Sequence, residues 1–212
     1  PAIKRRAVEG YGGREYECEP TVADREATAA RVQKETGATL IPPYNDERII
    51  AGQGTCALEF LAQAPDLDAI IVPVGGGGML AGTAITTNAL APNIAVFGAE
   101  PANADDAFRS LASGQIEPMD NPDTIADGLR TTLGTLTFPI IQDLVEAVVL
   151  VSEDEIAAAM RLVLERAKLV VEPSGAVSIA AACTKACADY GFRKIGVIVT
   201  GGNVDLFSLS TR

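Results

Sequence analysis

The sequence contains no histidine, and its four cysteines form no C-x-x-C pair. The absence of histidine removes the commonest general acid or base near neutral pH, together with every Ser–His or Cys–His nucleophile pair. Combined with the cysteine spacing, it also argues against a zinc site of ordinary composition. Any reaction at this protein must therefore use a lysine, a carboxylate, a hydroxyl group or a cofactor.

Positive charge and long apolar runs are also scarce. Lysine and arginine number 17 against 28 aspartate and glutamate residues, so the formal net charge is −11 and no basic surface is expected for a nucleic acid or an anionic membrane. No apolar stretch reaches the ~18 to 20 residues that span a bilayer, and residues 1–10 lack the apolar core of a signal peptide. We therefore expect a cytoplasmic protein with small-molecule ligands and neither nucleic acid nor membrane as a partner.

The apolar periodicity alternates along the chain between the patterns of helices and strands. Helices are predicted over residues 2–12, 21–35, 46–63, 79–91 and 174–190, and another begins at Ser152, where Glu155 completes a capping box. Strands are predicted over residues 14–19, 38–42, 68–74, 94–100, 147–151 and 194–202. Residues 101–134 read as an irregular connection around one short helix. This alternation predicts an α/β fold, a parallel twisted sheet with helices on both faces.

Four consecutive glycines, Gly75 to Gly78, separate a predicted strand from a predicted helix. Such a turn presents free amide N–H groups and the positive end of the helix dipole at the carboxyl edge of the sheet, where a phosphate group can bind. A tight turn with close helix packing explains one or two glycines but not four, so a phosphate ligand is the favoured interpretation. The loop is not a P-loop, because Met79 and Leu80 occupy the places of its lysine and hydroxyl residue. A dinucleotide site is the nearer alternative, but its glycines follow the spacing G-x-G-x-x-G.

Acidic residues follow the next predicted strand. Glu100 and Asp106, with backbone carbonyls between them, could supply hard oxygen ligands to Mg²⁺ or Ca²⁺. The competing interpretation is that Asp105 or Asp106 simply caps a helix that starts near Ala107. The residue pattern by itself leaves both interpretations open.

Several motifs, taken in order and at their intervals, carry a resemblance to a known family. They read VPVGGGGMLAG, AEPANADD, TIADGL, VEPSGAVSIAA and VIVTGGNVDL. With them the chain resembles the fold-type II pyridoxal-phosphate enzymes, which share the fold of the tryptophan synthase β subunit. Within these enzymes it is most similar to the serine racemases and serine/threonine dehydratases, and the similarity covers essentially all 212 residues.

This resemblance implies a cofactor site. The amides of Gly75, Gly76, Gly77, Gly78 and Met79 would hold the 5′-phosphate of pyridoxal phosphate. The backbone of Gly128 would lie near the pyridine ring, and Thr200 stands where the family usually places a serine opposite the pyridine nitrogen. A hydroxyl at that place does not enforce a protonated ring, which suits β-elimination and racemisation.

The resemblance also implies two further sites. Glu100, the carbonyl of Ala104 and Asp106 match the family's site for a divalent cation, Mg²⁺ or Ca²⁺. Three other residues match positions at which racemases of this group bind ATP between the subunits of a homodimer: Tyr11, Lys168 and Asn203.

The activity implied by the resemblance is racemisation of serine, or dehydration of serine, threonine or 3-hydroxyaspartate to a keto acid and ammonia. The family's Schiff-base lysine and its reprotonating serine would lie upstream of residue 1, so no catalytic residue is expected here and the chain alone should be inactive. Residues 1–47 would belong to a small mobile domain and 48–212 to the large cofactor-binding domain. The alternatives are a non-catalytic module that binds a phosphate ligand or metal and, more distantly, an NAD-dependent oxidoreductase.

Overall fold

The computed structural model describes residues 2–19, 21–119 and 122–205, which form two compact units. The first unit contains the described residues up to 42 and those from 203 onward. The second contains the described residues of 43–202. Their assignment to a small and a large domain, with the boundary near residue 47, stays a prediction.

The first unit is built on two helices, α1 (Ala2–Gly10) and α2 (Val22–Thr36). Helix α2 begins where the Thr21 side chain accepts a hydrogen bond from the Asp24 amide, and it ends at Gly37 in the left-handed conformation. The predicted strands over 14–19 and 38–42 were wrong, because neither stretch forms a strand. Extended backbone becomes a strand only when a neighbouring chain accepts its hydrogen bonds, and no ladder pairs these stretches within the described ranges.

The second unit is a parallel sheet with its connecting helices. The strands are β1 (Ala69–Pro73), β2 (Ala95–Pro101), β3 (Ala147–Val151) and β4 (Ile195–Val197). The helices are α3 (Glu47–Gln63), α4 (Gly78–Leu90), α5 (Asp106–Ser113), α6 (Thr137–Leu144), α7 (Glu153–Leu162), α8 (Pro173–Ala182) and α9 (Lys185–Ala188). A 3₁₀ turn covers Asp127–Leu129 and a π-helical turn covers Val163–Ala167. The spatial order β3-β2-β1-β4, with every pairing parallel, confirms the predicted fold class.

Strand β1 lies inside the sheet and is buried along its whole length. Because side chains alternate between the two faces of a strand, Ile70 and Val72 share a face, and both belong to the main apolar cluster together with Leu80 of α4. Burying a side chain of this size contributes roughly 1.5 to 3 kcal/mol. Helix α8 packs against all four strands. The continuous apolar run of β1 thus reflects cover on both faces.

The helices differ from the sequence-based prediction in two places. The helix expected over 174–190 is interrupted, because Thr184 accepts a hydrogen bond from the Cys187 amide and starts the separate short helix α9. Helix α6 was not anticipated. The capping box at the start of α7 is confirmed, since the Ser152 amide donates to Glu155 at 2.7 Å and the Glu155 amide donates to the Ser152 hydroxyl at 3.3 Å.

The topology positions the candidate site. In the sheet, strand β1 lies between β2, the next strand along the chain, and β4, the last strand of the sheet in chain order. In open parallel sheets, ligands bind beyond the carboxyl ends of strands at such a change in strand order. Within the described ranges, no helix combines the length and apolar character needed to cross a membrane.

Candidate functional site

The glycine loop lies just beyond the carboxyl end of β1. Gly75, Gly76, Gly77 and Gly78 are all buried, and Gly77 precedes the first residue of α4 as its N-cap. Gly77 has a φ of +86°, in the left-handed region that glycine adopts without strain. The loop therefore turns the chain directly from the sheet into a helix of 13 residues whose positive end faces the loop.

Three main-chain amides of this loop have no acceptor among the described residues. In the part of the chain that the structure describes, no acceptor is found for the N–H groups of Gly75, Gly76 or Gly77. The amides in the first turn of α4 also lack an intrahelical partner, as at every helix N-terminus. Buried amides without an acceptor are rare in folded proteins, so this cluster fits an anionic group such as a phosphate.

Close packing explains the missing side chains at two of the four glycines. A Cβ atom on Gly76 would lie 2.3 Å from the ring of Tyr44, and one on Gly77 would lie 2.7 Å from Cδ1 of Ile141 and 2.8 Å from Oγ1 of Thr137. Packing therefore rules out a side chain at two of the four glycines, which agrees with the sequence-based expectation. The evidence for an anion is the set of unpaired amides rather than the number of glycines.

A second wall of the site is formed by Gly128, Ser174 and Thr200. A Cβ on Gly75 would lie 3.4 Å from the carbonyl oxygen of Gly128, whose amide donates to the buried Ser174 hydroxyl at 2.9 Å. The next residue, Gly175, passes so close to Thr200 that an added Cβ would lie 1.9 Å from the Thr200 carbonyl oxygen. These contacts join the ends of β1 and β4 through the 3₁₀ turn and the start of α8. The predicted cofactor residues thus lie in one continuous region, while Ser174 was missed as a contact residue.

The buried acids Glu100 and Asp106 form a separate site. Glu100 is fully buried at the end of β2, and its two carboxylate oxygens accept hydrogen bonds from the amides of Ala107 at 3.1 Å and Phe108 at 3.0 Å. Asp106 is also fully buried, and its Oδ2 accepts from the Leu133 amide at 3.1 Å. Its other oxygen, Oδ1, has no hydrogen-bond partner within the described ranges when both acids are charged, whereas a protonated Glu100 can donate to the Asp106 carboxylate.

These two acids resist being charged together. Burial, reinforced by the neighbouring charge of Asp106, raises the pKa of Glu100 well above its ordinary value. Burial likewise raises the pKa of Asp106. An unpaired carboxylate oxygen beside a second buried carboxyl group fits a bound cation, which would balance both charges. In the described ranges no cluster of three acidic, histidine or cysteine side chains could hold a metal, so neutral oxygens such as the carbonyl of the buried Ala104 would have to complete the ligand set.

The competing interpretation of these acids, a simple helix cap, is wrong. Helix α5 starts at Asp106 with Asp105 as its N-cap, and Asp105 makes no capping hydrogen bond. Instead, Asp105 accepts a hydrogen bond from Nε of Arg109 at 2.8 Å. Glu100 reaches across from the neighbouring strand to receive the first amides of the helix. The cap is therefore a tertiary contact that the local sequence does not reveal.

The three residues matched to a nucleotide site lie on exposed surfaces. Tyr11 is 86% exposed just after α1. Lys168 is exposed, has a φ of 61°, and donates from Nζ to the carbonyl of Glu165. Asn203 is exposed in the first unit. Their role in nucleotide binding stays a prediction.

Comparison with known proteins shows extensive similarity. The family described as "Pyridoxal-phosphate dependent enzyme" matches residues 1–201. Serine racemase of Dictyostelium discoideum is 49% identical over 99% of this chain and 66% of its own length, and beta-hydroxyaspartate dehydratase of Paracoccus denitrificans is 47% identical over the same shares. The structure of maize serine racemase matches with a TM-score of 0.95 and 45% identity, covering 99% of this chain and 65% of that one. The chain therefore spans slightly less than two thirds of the length of these relatives.

Proposed function

Because this chain belongs to the pyridoxal-phosphate dependent enzyme family, we propose that the whole protein containing it is a serine racemase, an L-serine/L-threonine dehydratase, or both. The cluster of buried, unpaired amides at Gly75–Gly77 carries the proposal, since it is suited to the cofactor's phosphate. The similarity to serine racemases and to a beta-hydroxyaspartate dehydratase supports a small hydroxylated amino acid as the substrate. Serine, threonine and 3-hydroxyaspartate are the candidates.

Pyridoxal phosphate supplies an electron sink that makes the α-proton of a bound amino acid acidic. The residues of this chain bind and orient it. The glycine loop and the amide of Met79 would receive the phosphate, and the turn at Gly128 would lie near the ring. The Thr200 hydroxyl is neutral, so it does not hold the ring nitrogen protonated as a carboxylate would. This milder setting favours racemisation and β-elimination of water.

We further propose that Glu100, the carbonyl of Ala104 and Asp106 bind Mg²⁺ or Ca²⁺. The unpaired Oδ1 of Asp106 and the raised pKa values of both acids support this site. The bound cation would have a structural role, because Asp106 also anchors the Leu133 amide, which begins the segment leading to α6. ATP binding at Tyr11, Lys168 and Asn203 is proposed from the family resemblance.

A homodimer in the cytoplasm is proposed as the working form. Exposed leucine side chains in and beside the π-helical turn support an interface: Leu162, Leu164 and Leu169 are 45 to 57% exposed. All four cysteines are free thiols, as expected in a reducing compartment. The net charge of −11 supports the absence of nucleic acid and anionic membrane as partners.

The activity test uses the full-length protein loaded with pyridoxal phosphate. L-serine, L-threonine and 3-hydroxyaspartate are each supplied with and without Mg²⁺ and ATP, and chiral chromatography and keto-acid detection measure racemisation and dehydration. We expect turnover of at least one of these substrates, with stimulation by Mg²⁺. Tight cofactor binding without turnover of any substrate would refute the proposed activity and favour a non-catalytic binding protein.

A further inference from the structure

The carbonyl oxygen of Gly76 is held by a buried hydroxyl group. Oγ1 of Thr137, the first residue of α6, lies 2.7 Å from this oxygen and donates its proton to it. The same Oγ1 accepts a hydrogen bond from the Gly134 amide at 2.9 Å. Thr137 is fully buried, so water does not compete for these contacts. Nothing in the proposed reaction requires this hydroxyl directly.

The segment that carries Thr137 is anchored at several points. The Leu133 amide donates to Oδ2 of Asp106 at 3.1 Å, and the Leu136 amide donates to Oδ1 of Asn45 at 2.8 Å. The Asn45 side chain also donates to the hydroxyl of Thr135 at 3.2 Å. Thr137 is therefore a donor in a fixed position rather than a side chain that follows the loop.

The geometry of the peptide bond links this contact to the phosphate site. The C=O of Gly76 and the N–H of Gly77 belong to one planar trans peptide unit, so they point in opposite directions. Holding the carbonyl toward Thr137 aims the Gly77 amide away from Thr137. The Gly134 amide also donates to this carbonyl, at the longer distance of 3.3 Å, so the Thr137 hydroxyl is the shorter of two contacts that hold the peptide plane. Without the hydroxyl, the amide would more often point away from the ligand.

We propose that Thr137 is a positioning residue for phosphate binding: its hydroxyl holds the Gly76–Gly77 peptide so that the Gly77 amide faces the cofactor's phosphate. The inference rests on the proposed cofactor site in the glycine loop, and it adds a residue 61 positions away from that loop in the sequence. Thr137 acts through the peptide and does not itself touch the ligand.

The test compares pyridoxal phosphate with pyridoxal, which lacks the phosphate. Dissociation constants of both ligands are measured by fluorescence titration on the cofactor-free full-length protein, and the ³¹P NMR shift of the bound phosphate is recorded. Thr137→Val keeps the side-chain shape and removes the hydroxyl. We expect it to weaken pyridoxal phosphate binding about five- to tenfold, the effect of one hydrogen bond of ordinary strength, and to move the ³¹P signal. Pyridoxal binding should stay within about twofold, because it makes no use of the oriented amide.

Two variants serve as controls. Thr137→Ser keeps the hydroxyl and should restore phosphate-dependent binding. Thr87→Val makes the same change at another fully buried threonine, whose Oγ1 has no hydrogen-bond partner in the described part of the chain, and should leave both dissociation constants unchanged. If Thr137→Val does not fold, Thr137→Cys, which offers only a weak donor, is compared with wild type in its place.

Equal weakening of both ligands would overturn the proposal, because the hydroxyl would then support the fold in general. Unchanged binding of both ligands would also overturn it. The binding measurement does not depend on turnover. A wild-type protein that binds the cofactor but lacks racemase and dehydratase activity would refute the proposed function. The role of Thr137 would still be judged by how the variant changes the dissociation constant of pyridoxal phosphate relative to that of pyridoxal.

Discussion

Replacing Asp106 by asparagine tests the buried acid pair, and we expect an outcome that is unusual for a core substitution. In cation-free solution at pH 8, Asp106→Asn should make the protein more stable. The asparagine carbonyl can still accept from the Leu133 amide, and its NH₂ group takes the place of the oxygen that has no partner. The carboxyl group of Glu100 keeps its two amide donors and loses the neighbouring charge of Asp106, which helps to raise its pKa.

The magnitude follows from the repulsion of two buried charges. At an effective dielectric constant of about 20, two unit charges about 4 Å apart repel by roughly 4 kcal/mol. This figure is an upper bound, because a pKa of about 9 keeps Glu100 mostly protonated at pH 8 in the wild-type protein. We therefore expect Asp106→Asn to raise the free energy of unfolding by about 1 to 2 kcal/mol at that pH. Wild type should gain stability from Ca²⁺ or Mg²⁺, whereas the variant should gain little.

The pH dependence has a definite sign. Folding raises the pKa of both acids, so above the ordinary carboxyl pKa of about 4 the folded protein binds more protons than the unfolded chain. The stability of the cation-free wild type therefore falls as the pH rises from about 5 to 8, and the advantage of Asp106→Asn should shrink toward pH 5. Urea unfolding followed by circular dichroism, with EDTA or Ca²⁺ at pH 5 and pH 8, measures these differences.

The neighbouring acid provides the control. Asp105 forms a partly exposed ion pair with Arg109, so Asp105→Asn should change stability by less than about 1 kcal/mol and keep the response to Ca²⁺. If Asp106→Asn is instead less stable than wild type at pH 8 without cations, and gains as much from Ca²⁺, the reasoning about charge repulsion at this site is refuted.

Three further substitutions test other contacts. Gly76→Ala should lower the free energy of unfolding by about 1 to 3 kcal/mol and weaken pyridoxal phosphate binding, because the new methyl group would overlap the ring of Tyr44. Unfolding and binding curves equal to those of wild type would contradict this packing. Ser174→Ala leaves the Gly128 amide without its acceptor and should lower the free energy of unfolding in urea by about 1 to 3 kcal/mol. An unchanged urea midpoint would show that the amide finds another partner. Ser152→Ala removes the capping box of α7 and should lower the free energy of unfolding by about 1 kcal/mol, which would appear as a lower thermal midpoint. A decrease of less than about 0.3 kcal/mol would mean that the cap is dispensable.

Local patterns in the sequence predicted most of the second unit. The alternation of apolar runs and amphipathic stretches indicated β1 to β3 and their helices, because burial on both faces of a parallel sheet leaves a recognisable pattern in each element. Ser152 and Glu155 marked the start of α7 because a capping box is complete within four residues. The predicted strands over 14–19 and 38–42 failed because strand formation depends on a partner, which lies outside the segment itself.

The candidate site divides in the same way. Gly75 to Gly78 could be found from the sequence because a strand, a glycine run and a helix are adjacent in the chain. Tyr44 and Thr137 could not, since their contacts with the glycine loop join distant segments and neither residue stands in a recognisable motif. The local sequence offered Asp105 or Asp106 as a possible cap of α5, whereas the first amides of that helix are received by Glu100 of strand β2.

The sequence by itself determined that this protein has a parallel α/β fold and a backbone suited to a phosphate group, because periodicity and glycine runs act within a few residues. Only the tertiary structure decided why that backbone is available. It buried the loop against Tyr44 and Thr137, and it left three amides of the loop and one oxygen of Asp106 without partners among the described residues. These features depend on close contacts between segments far apart in the chain, and on the loss of water that accompanies them.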